Sequence, residues 1–397
     1  MTAAARERGR ESEPPVCIVG SCPLRIWNQT PGERLRRAFT RAGAEHFIPE
    51  GELDKHDGPL VLVRSDAALD MPLIQPLMTS PGIRLLDPGA EGTLAIHAPA
   101  GAAGAASAAL AVRPSDAPAA AFESVTPDQL GSAYWEKLRK RETPYAMAVT
   151  PQNLRQVEWR VFMGTYKGAT DFVTKWVWPW PAFHVTRFCA RVGATPNTVT
   201  FVSLLLVIAA FVWFLQGKWL PGLIAAWVMT FLDTVDGKLA RVTMTSSRFG
   251  GALDHGIDLV HPPFWYVAWG IGAWRPGLDG GGQGLSEDTL FLVLLVIVLG
   301  YLLQRAVEGL SLLLLKIEIH VWRPIDTLFR QVTARRNPNL ALLSLGALAG
   351  RPDLGLVAVA LWTALCLVLH GLQLVQALAA RRREGRLVSW MERGAAP

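Results

Sequence analysis

Beyond about residue 195 this sequence cannot be arranged as an ordinary water-soluble core. Six apolar segments follow one another, at roughly 197–216, 219–236, 252–273, 288–315, 338–350 and 354–379. A helix needs about 20 mainly apolar residues to cross a bilayer. The fifth segment is short, and the fourth carries Arg305 and Glu308, so its membrane part is expected to end early. No run of comparable length occurs in the first 150 residues. The fold expected is therefore multi-domain: an α/β domain in front, then an all-α six-helix transmembrane domain. The boundaries read as a disordered tail (1–15), the α/β domain (16–145), an interfacial juxtamembrane segment (146–194), the transmembrane domain (195–380) and a basic tail (381–397).

The α/β reading rests on short apolar runs that end in polar residues, VCIVG (16–20) and PLVLVRSD (59–66), as buried parallel strands do. Between them PGERLRRAFTRAG (31–43) is amphipathic, with Pro31 at its start and Gly43 at its end, and a second helical stretch spans Met71–Met78. Residues 98–121 are rich in alanine, glycine and proline and read as a flexible excursion. The charged opening MTAAARERGRESEPP has no apolar centre and so is not read as a secretory signal. Four scattered cysteines give neither a zinc pattern nor a disulfide framework.

Charge sets the expected orientation. The net charge is +6, without a long basic run, which disfavours nucleic acid as a partner. Basic residues sit beside the apolar segments: Lys238, Arg241 and Arg248, then Lys316 to Arg336, then Arg381–Arg386. The opposite loops are the glycine-rich 275–288 and the short Arg351-Pro-Asp turn. Positive residues collect on the cytoplasmic side, so both termini are expected there. Ahead of the first span, Trp176, Trp178 and Trp180 with Lys175 and Arg187 read as a segment lying on the bilayer surface.

The chemistry concentrates between Asp233 and Asp258. The chain reads Asp233-x-x-Asp236-Gly237-x-x-Ala240-Arg241, eight residues, then Gly250-x-x-x-Asp254-x-x-x-Asp258. Carboxylates at i and i+3, and at i and i+4, share one helix face. Four anions beside a bilayer are costly unless a cation neutralises them. A hard divalent ion with oxygen ligands does this, and Mg²⁺ commonly combines carboxylates with substrate phosphates.

This pattern resembles, position for position, the signature of the CDP-alcohol phosphotransferase family. The resemblance implies an integral membrane transferase that moves a substituted phosphate from a CDP-alcohol donor to a hydroxyl acceptor, lipid or soluble, and releases CMP. It implies Mg²⁺ or Mn²⁺ held by Asp233, Asp236 and Asp254, with Asp258 as general base and a possible share in a second metal. It implies a homodimer among membrane lipids, working in phospholipid or polar-lipid synthesis with its site on the cytoplasmic face. Gly237, Ala240, Arg241, Gly250 and Asn197 would lie against the nucleotide. Small residues at these spacings also serve close helix packing, Arg241 also anchors a helix end, and Thr195-Pro196-Asn197 is also a good helix start. His255, Arg305 and Arg335 are candidate acceptor contacts, with His261, Arg323 and Arg336 as neighbours of the same kind. Leu259 stands where several branches of the family carry a polar residue, so no particular acceptor follows.

The front domain distantly resembles a sugar-type nucleotidyltransferase, through LVLVRSDAALD and the metal-binding position this gives Asp66. It lacks that group's glycine-rich phosphate loop: Gly20-Ser-Cys-Pro-Leu-Arg25 has one glycine. Asp66 also suits the cap of the following helix. Two rivals accompany the main reading: a bifunctional enzyme that also makes its CDP-alcohol, and a non-catalytic membrane scaffold whose acidic cluster binds an ion. The loop position of the motif disfavours the second, because transporters set such charges near the bilayer midplane.

Overall fold

The computed structural model describes residues 13–90, 92–112, 122–246, 248–274 and 285–393, without the side chains of Asp54, Arg248, Phe249, Leu253 and Asp254. Parts of the opening tail, of the 98–121 excursion, of the 275–288 loop and of the basic tail lie outside these residues. The chain forms two compact units. One takes residues up to Lys137, Arg141–Thr165 and Val242–Met244; the other takes Leu138–Lys140, Tyr166–Arg241 and Thr245 onward.

The first unit is built on strand periodicity. Strands β1 (Val16–Val19), β2 (Leu60–Arg64), β3 (Ala67–Leu69), β4 (Ile83–Asp87), β5 (Gly92–Ala98), β6 (Glu123–Val125) and β7 (Ala146–Ala148) alternate with helices α1 (Pro31–Ala42), α2 (Met71–Thr79) and α3 (Ala103–Ala111). Side chains alternate across a sheet. Val61 and Val63 therefore join Leu35, Phe39, Leu73 and Leu77 on one face, while Leu60 and Leu62 join Ala106 and Leu110 on the other. The result is a sheet with helices on both faces.

The sheet is mixed, in the order β1-β2-β5-β4-β6, with β1–β2 and β4–β6 parallel but β2–β5 and β4–β5 antiparallel. The expected parallel pair is there; β5 reverses the direction between the two parallel pairs. Thr30 and Glu33 cap α1 reciprocally, and Gly43 closes it at φ 112°, where a side chain would be strained. Asp66 does not cap α2: Asp70 does, and the Asp66 carboxylate takes both Nε and Nη2 of Arg64 at 3.0 and 2.6 Å. The Gly20 amide donates to Glu50.

The second unit is helical: α4 (Pro179–Arg191), α5 (Pro196–Leu215), α6 (Trp219–Val242), α7 (Arg248–Trp274), α8 (Glu287–Leu310), α9 (Arg336–Leu348) and α10 (Pro352–Glu384). Helices stand at all six expected apolar segments. Among the described residues, three are long and apolar enough to cross a membrane: α5, α8 with its continuation to Leu315, and α10. Helices α6 and α7 are long but carry the charged motif, and α9 has 13 residues. On α5, α8 and α10 the outward residues are as apolar as the inward ones, including Phe201, Phe291, Leu361 and Val375, each more than half exposed. Such surfaces are stable against hydrocarbon and costly against water.

Inside, Phe214, Trp219, Trp265 and Trp269 interlock at ring separations of 4.5–5.9 Å. Helices α9 and α10 meet backbone to backbone, since a Cβ on Gly346 would fall 2.5 Å from the Gly355 Cα. The tryptophans before the first span divide as an amphipathic segment would. Trp178 packs on Phe231, while Trp176 and Trp180 are largely exposed.

Candidate active site

Helix α6 carries Asp233, Asp236, Gly237, Ala240 and Arg241, and α7 carries Asp254, His255 and Asp258. Both helices run on through the motif without a break, so the spacing of the sequence becomes a spacing in space. Asp233 and Asp258, from different helices, converge on one guanidinium: Arg336 Nη2 donates to Asp233 Oδ2 at 2.5 Å and Nη1 donates to Asp258 Oδ1. Arg336 is the first residue of α9, and it lies in the site rather than serving only as a basic flank. Asp236 is buried. Its Oδ2 accepts from Thr200 Oγ1 of α5 at 2.6 Å, and its Oδ1 has no partner.

These residues fit a hard divalent cation. They offer carboxylate oxygens only, one of them buried and unsatisfied, and two more drawn together around a positive charge. Among the described residues no three histidines, cysteines or carboxylates already form a metal-sized cluster. The Asp254 side chain, one of the expected ligands, lies outside those residues.

The motif opens on a cavity of about 360 Å³. Asp233, Gly237, Arg241, His255, Asp258, Arg305 and Arg335 all line it. A Cβ on Gly237 would stand 3.0 Å from Arg241 Nη2, so the absent side chain lets the arginine fold back along its own helix towards the cavity. Ala240, Gly250 and Asn197 are not among the lining residues. Asn197 is exposed at the start of α5, where Thr195 caps the helix by accepting from the Thr198 amide at 3.2 Å. His261 turns away: its Nδ1 bonds to the Ile257 carbonyl at 2.7 Å and its ring packs on Trp265, beside an apolar cavity of about 590 Å³. Arg323 is taken up by Asp326 and Gln376, away from the lining.

The remaining wall is cationic. Lys167, Lys238, Arg139 and Arg330 join Arg305, Arg335 and Arg336 around the cavity, against the carboxylates of Asp171, Asp233 and Asp258. Arg330 is pushed down to about 9, by burial and then by the neighbouring Arg335. Its Nε and Nη1, and the Nε atoms of Arg305 and Arg335, are buried without partners. Guanidinium donors so placed call for an anion. The Lys238 Nζ sits 3.1 Å from the centroid of the Tyr166 ring. Arg336, one of the arginines with an expected acceptor role, lines the cavity, whereas Thr200, Tyr166, Lys167 and Arg330 are members of the site that the sequence does not mark. The one signal available was the repeated arginine at 330, 335 and 336, which topology alone accounts for equally well.

Residues 194–334 match the model of the CDP-alcohol phosphatidyltransferase family. Among curated proteins, the archaetidylinositol phosphate synthase of Pyrococcus horikoshii is 42% identical over 79 residues, covering 20% of this chain and 42% of that protein. The phosphatidylinositol phosphate synthase of Mycobacterium marinum is 33% identical over 94 residues, 22% of this chain and 40% of that protein. The chain thus spans about two fifths of the length of these relatives. A solved structure of the Mycobacterium tuberculosis phosphatidylinositol phosphate synthase with CDP-DAG bound aligns at 18% identity and a TM-score of 0.38, over 49% of this chain and 92% of that one.

Proposed function

We propose that the helical unit transfers a substituted phosphate from a CDP-linked lipid to a hydroxyl of a phosphorylated polyol of the inositol phosphate class, releasing CMP. The observation that carries this reading is the convergence of Asp233 and Asp258 at the mouth of an arginine-lined cavity, with an unsatisfied Asp236 oxygen close by in sequence. The matched relatives, named as inositol phosphate lipid synthases, support the acceptor class.

Asp233, Asp236 and Asp254 would hold a divalent metal, Mg²⁺ or Mn²⁺, which when bound neutralises the donor pyrophosphate. Arg241, folded over Gly237, binds a nucleotide phosphate. Asp258 accepts the proton of the acceptor hydroxyl as its oxygen bonds to the β-phosphorus. The bond from that phosphorus to the bridging oxygen breaks, and CMP leaves with the electron pair. Arg305, Arg330 and Arg335 take the acceptor's own phosphate, and His255 stands exposed at the rim. The basic residues beside this end of the helices favour a cytoplasmic site, with both termini on that side. A pair of copies joined through the membrane helices completes the proposal.

The test is CMP release by the purified full chain in lipid–detergent micelles with Mg²⁺ or Mn²⁺, offered inositol phosphate or unphosphorylated inositol. Release is expected with the phosphorylated acceptor and is expected to vanish in Asp258→Asn while Mn²⁺ binding persists. Equal release from both acceptors would refute the acceptor class, and full activity in Asp258→Asn would refute the base.

A further inference from the structure

Two of the arginines that line the cavity pair with a carboxylate that is not part of its wall. Arg305, on α8, gives Nη1 and Nη2 to the two carboxylate oxygens of Glu308, each at 2.9 Å. Arg335, just before α9, donates through Nη2 to the same Glu308. His320, from the connection between those helices, places Nε2 3.0 Å from Glu308 Oε1. Glu308 itself is not among the residues lining the cavity. One carboxylate behind the wall thus gathers two arginines and a histidine from three separate stretches of chain.

The electrostatics require such a group. Arg305, Arg330, Arg335 and Arg336 lie around one small cavity, where like charges in a partly desolvated wall repel strongly. Asp233 and Asp258 offset Arg336. For Arg305 and Arg335 the offset comes from Glu308. Each keeps an unpartnered Nε. His320 braces the carboxylate: it is buried, its ring meets His370 at 5.2 Å, and burial pushes it down to about 3, so it stays neutral and donates Nε2–H. Neutral His320 adds no further positive charge to the cluster.

We infer that Glu308 is a positioning residue that aims Arg305 and Arg335 as a paired clamp for a phosphate group on the acceptor. The inference rests on the proposed transferase reading, with a phosphorylated acceptor. Glu308 touches no reacting atom. Its loss acts through the guanidiniums, which separate or turn once their shared counter-charge is gone.

The experiment is steady-state CMP release by the full chain and by Glu308→Gln and Glu308→Asp, varying inositol phosphate at saturating donor and then the donor at saturating acceptor. Glu308→Gln is expected to raise the acceptor KM about tenfold or more, the scale of one lost charge-assisted hydrogen bond. Its kcat should stay within about threefold and its donor KM unchanged, the pattern of lost ground-state binding. Glu308→Asp should recover part of the acceptor KM, because it restores the charge. An unchanged acceptor KM, or equal changes for both substrates, would overturn the inference. So would loss of folded protein in both variants, which would mark Glu308 as a stability residue. If the unaltered chain does not distinguish phosphorylated from unphosphorylated inositol, the transferase reading fails first, and that outcome is separate from a failure of Glu308 alone.

Discussion

Replacing Thr200 by valine tests the metal assignment through a residue that touches no substrate. The change keeps the branched shape and removes the hydroxyl that donates to Asp236 Oδ2 at 2.6 Å. Asp236 is 3% exposed and its other oxygen already lacks a partner, so water cannot replace the lost bond cheaply. A hydrogen bond to a charged group contributes about 1.5–3 kcal/mol. Groups that orient metal-ligating side chains typically change affinity by about 10–100-fold, which is about 1.4–2.7 kcal/mol on the same scale. The two ranges overlap, so the dissociation constant for Mn²⁺ is expected to rise by about 10–100-fold in Thr200→Val. Thr200→Ser, which keeps the hydroxyl, should stay near the unaltered value. The assay is a titration of free Mn²⁺ by electron paramagnetic resonance with the detergent-solubilised full chain, which needs no substrate or turnover. A Thr200→Val constant within twofold of the unaltered protein would refute the reasoning, because Asp236 would then have no part in holding the ion.

Arg336→Gln removes the guanidinium that Asp233 and Asp258 share. Breaking a buried pair costs about 3–5 kcal/mol, which partial exposure of these carboxylates reduces to about 1–2 kcal/mol. At about 2–4 °C per kcal/mol, the metal-free melting temperature should fall by about 2–8 °C, and Mn²⁺ should recover most of it; an equal loss with the ion present would contradict this. His320 gives a pH dependence. Its folded-state value near 3 lies below the usual 6.5, so the unfolded chain binds the extra proton, and stability present at neutral pH is lost as pH falls below about 6.5. Melting curves between pH 7.5 and 5 should show this slope, and His320→Asn should flatten it.

The acidic motif was legible because helical spacing survives folding: α6 and α7 run unbroken through it, so a one-dimensional pattern becomes one face of each helix. Arg336 was legible only as one of two alternatives, phosphate contact or topology, because a basic pair at a membrane boundary has both uses and only the path of α9 carries it to Asp233 and Asp258. Thr200 was hidden for a different reason. It sits in an apolar helix about 36 residues before its partner, where a hydroxyl leaves no mark on the pattern. In the first unit, VCIV and LVLV announced their strands, yet strand direction depends on pairing with the distant β5, which no local run encodes. Asp66 pairs with Arg64, two positions before it on the same stretch, and leaves the cap of α2 to Asp70, a choice between two nearby carboxylates that the local sequence does not make.

The glycine pair Gly346 and Gly355 sets more than a crossing distance. Helix α9 has no room to slide along α10 where their backbones touch, and that contact lies ten residues, about 15 Å of helix, from Arg336. The two cations at the head of α9 are therefore surveyed from a fixed benchmark at its foot. A side chain added at the benchmark would move Arg335 and Arg336 together, as a rigid jig moves both of its pins. Tolerance to substitution in this unit is thus not graded by distance from the chemistry: a methyl group at Gly346 would disturb the site's charges more than most changes on the outward faces of α5 or α8.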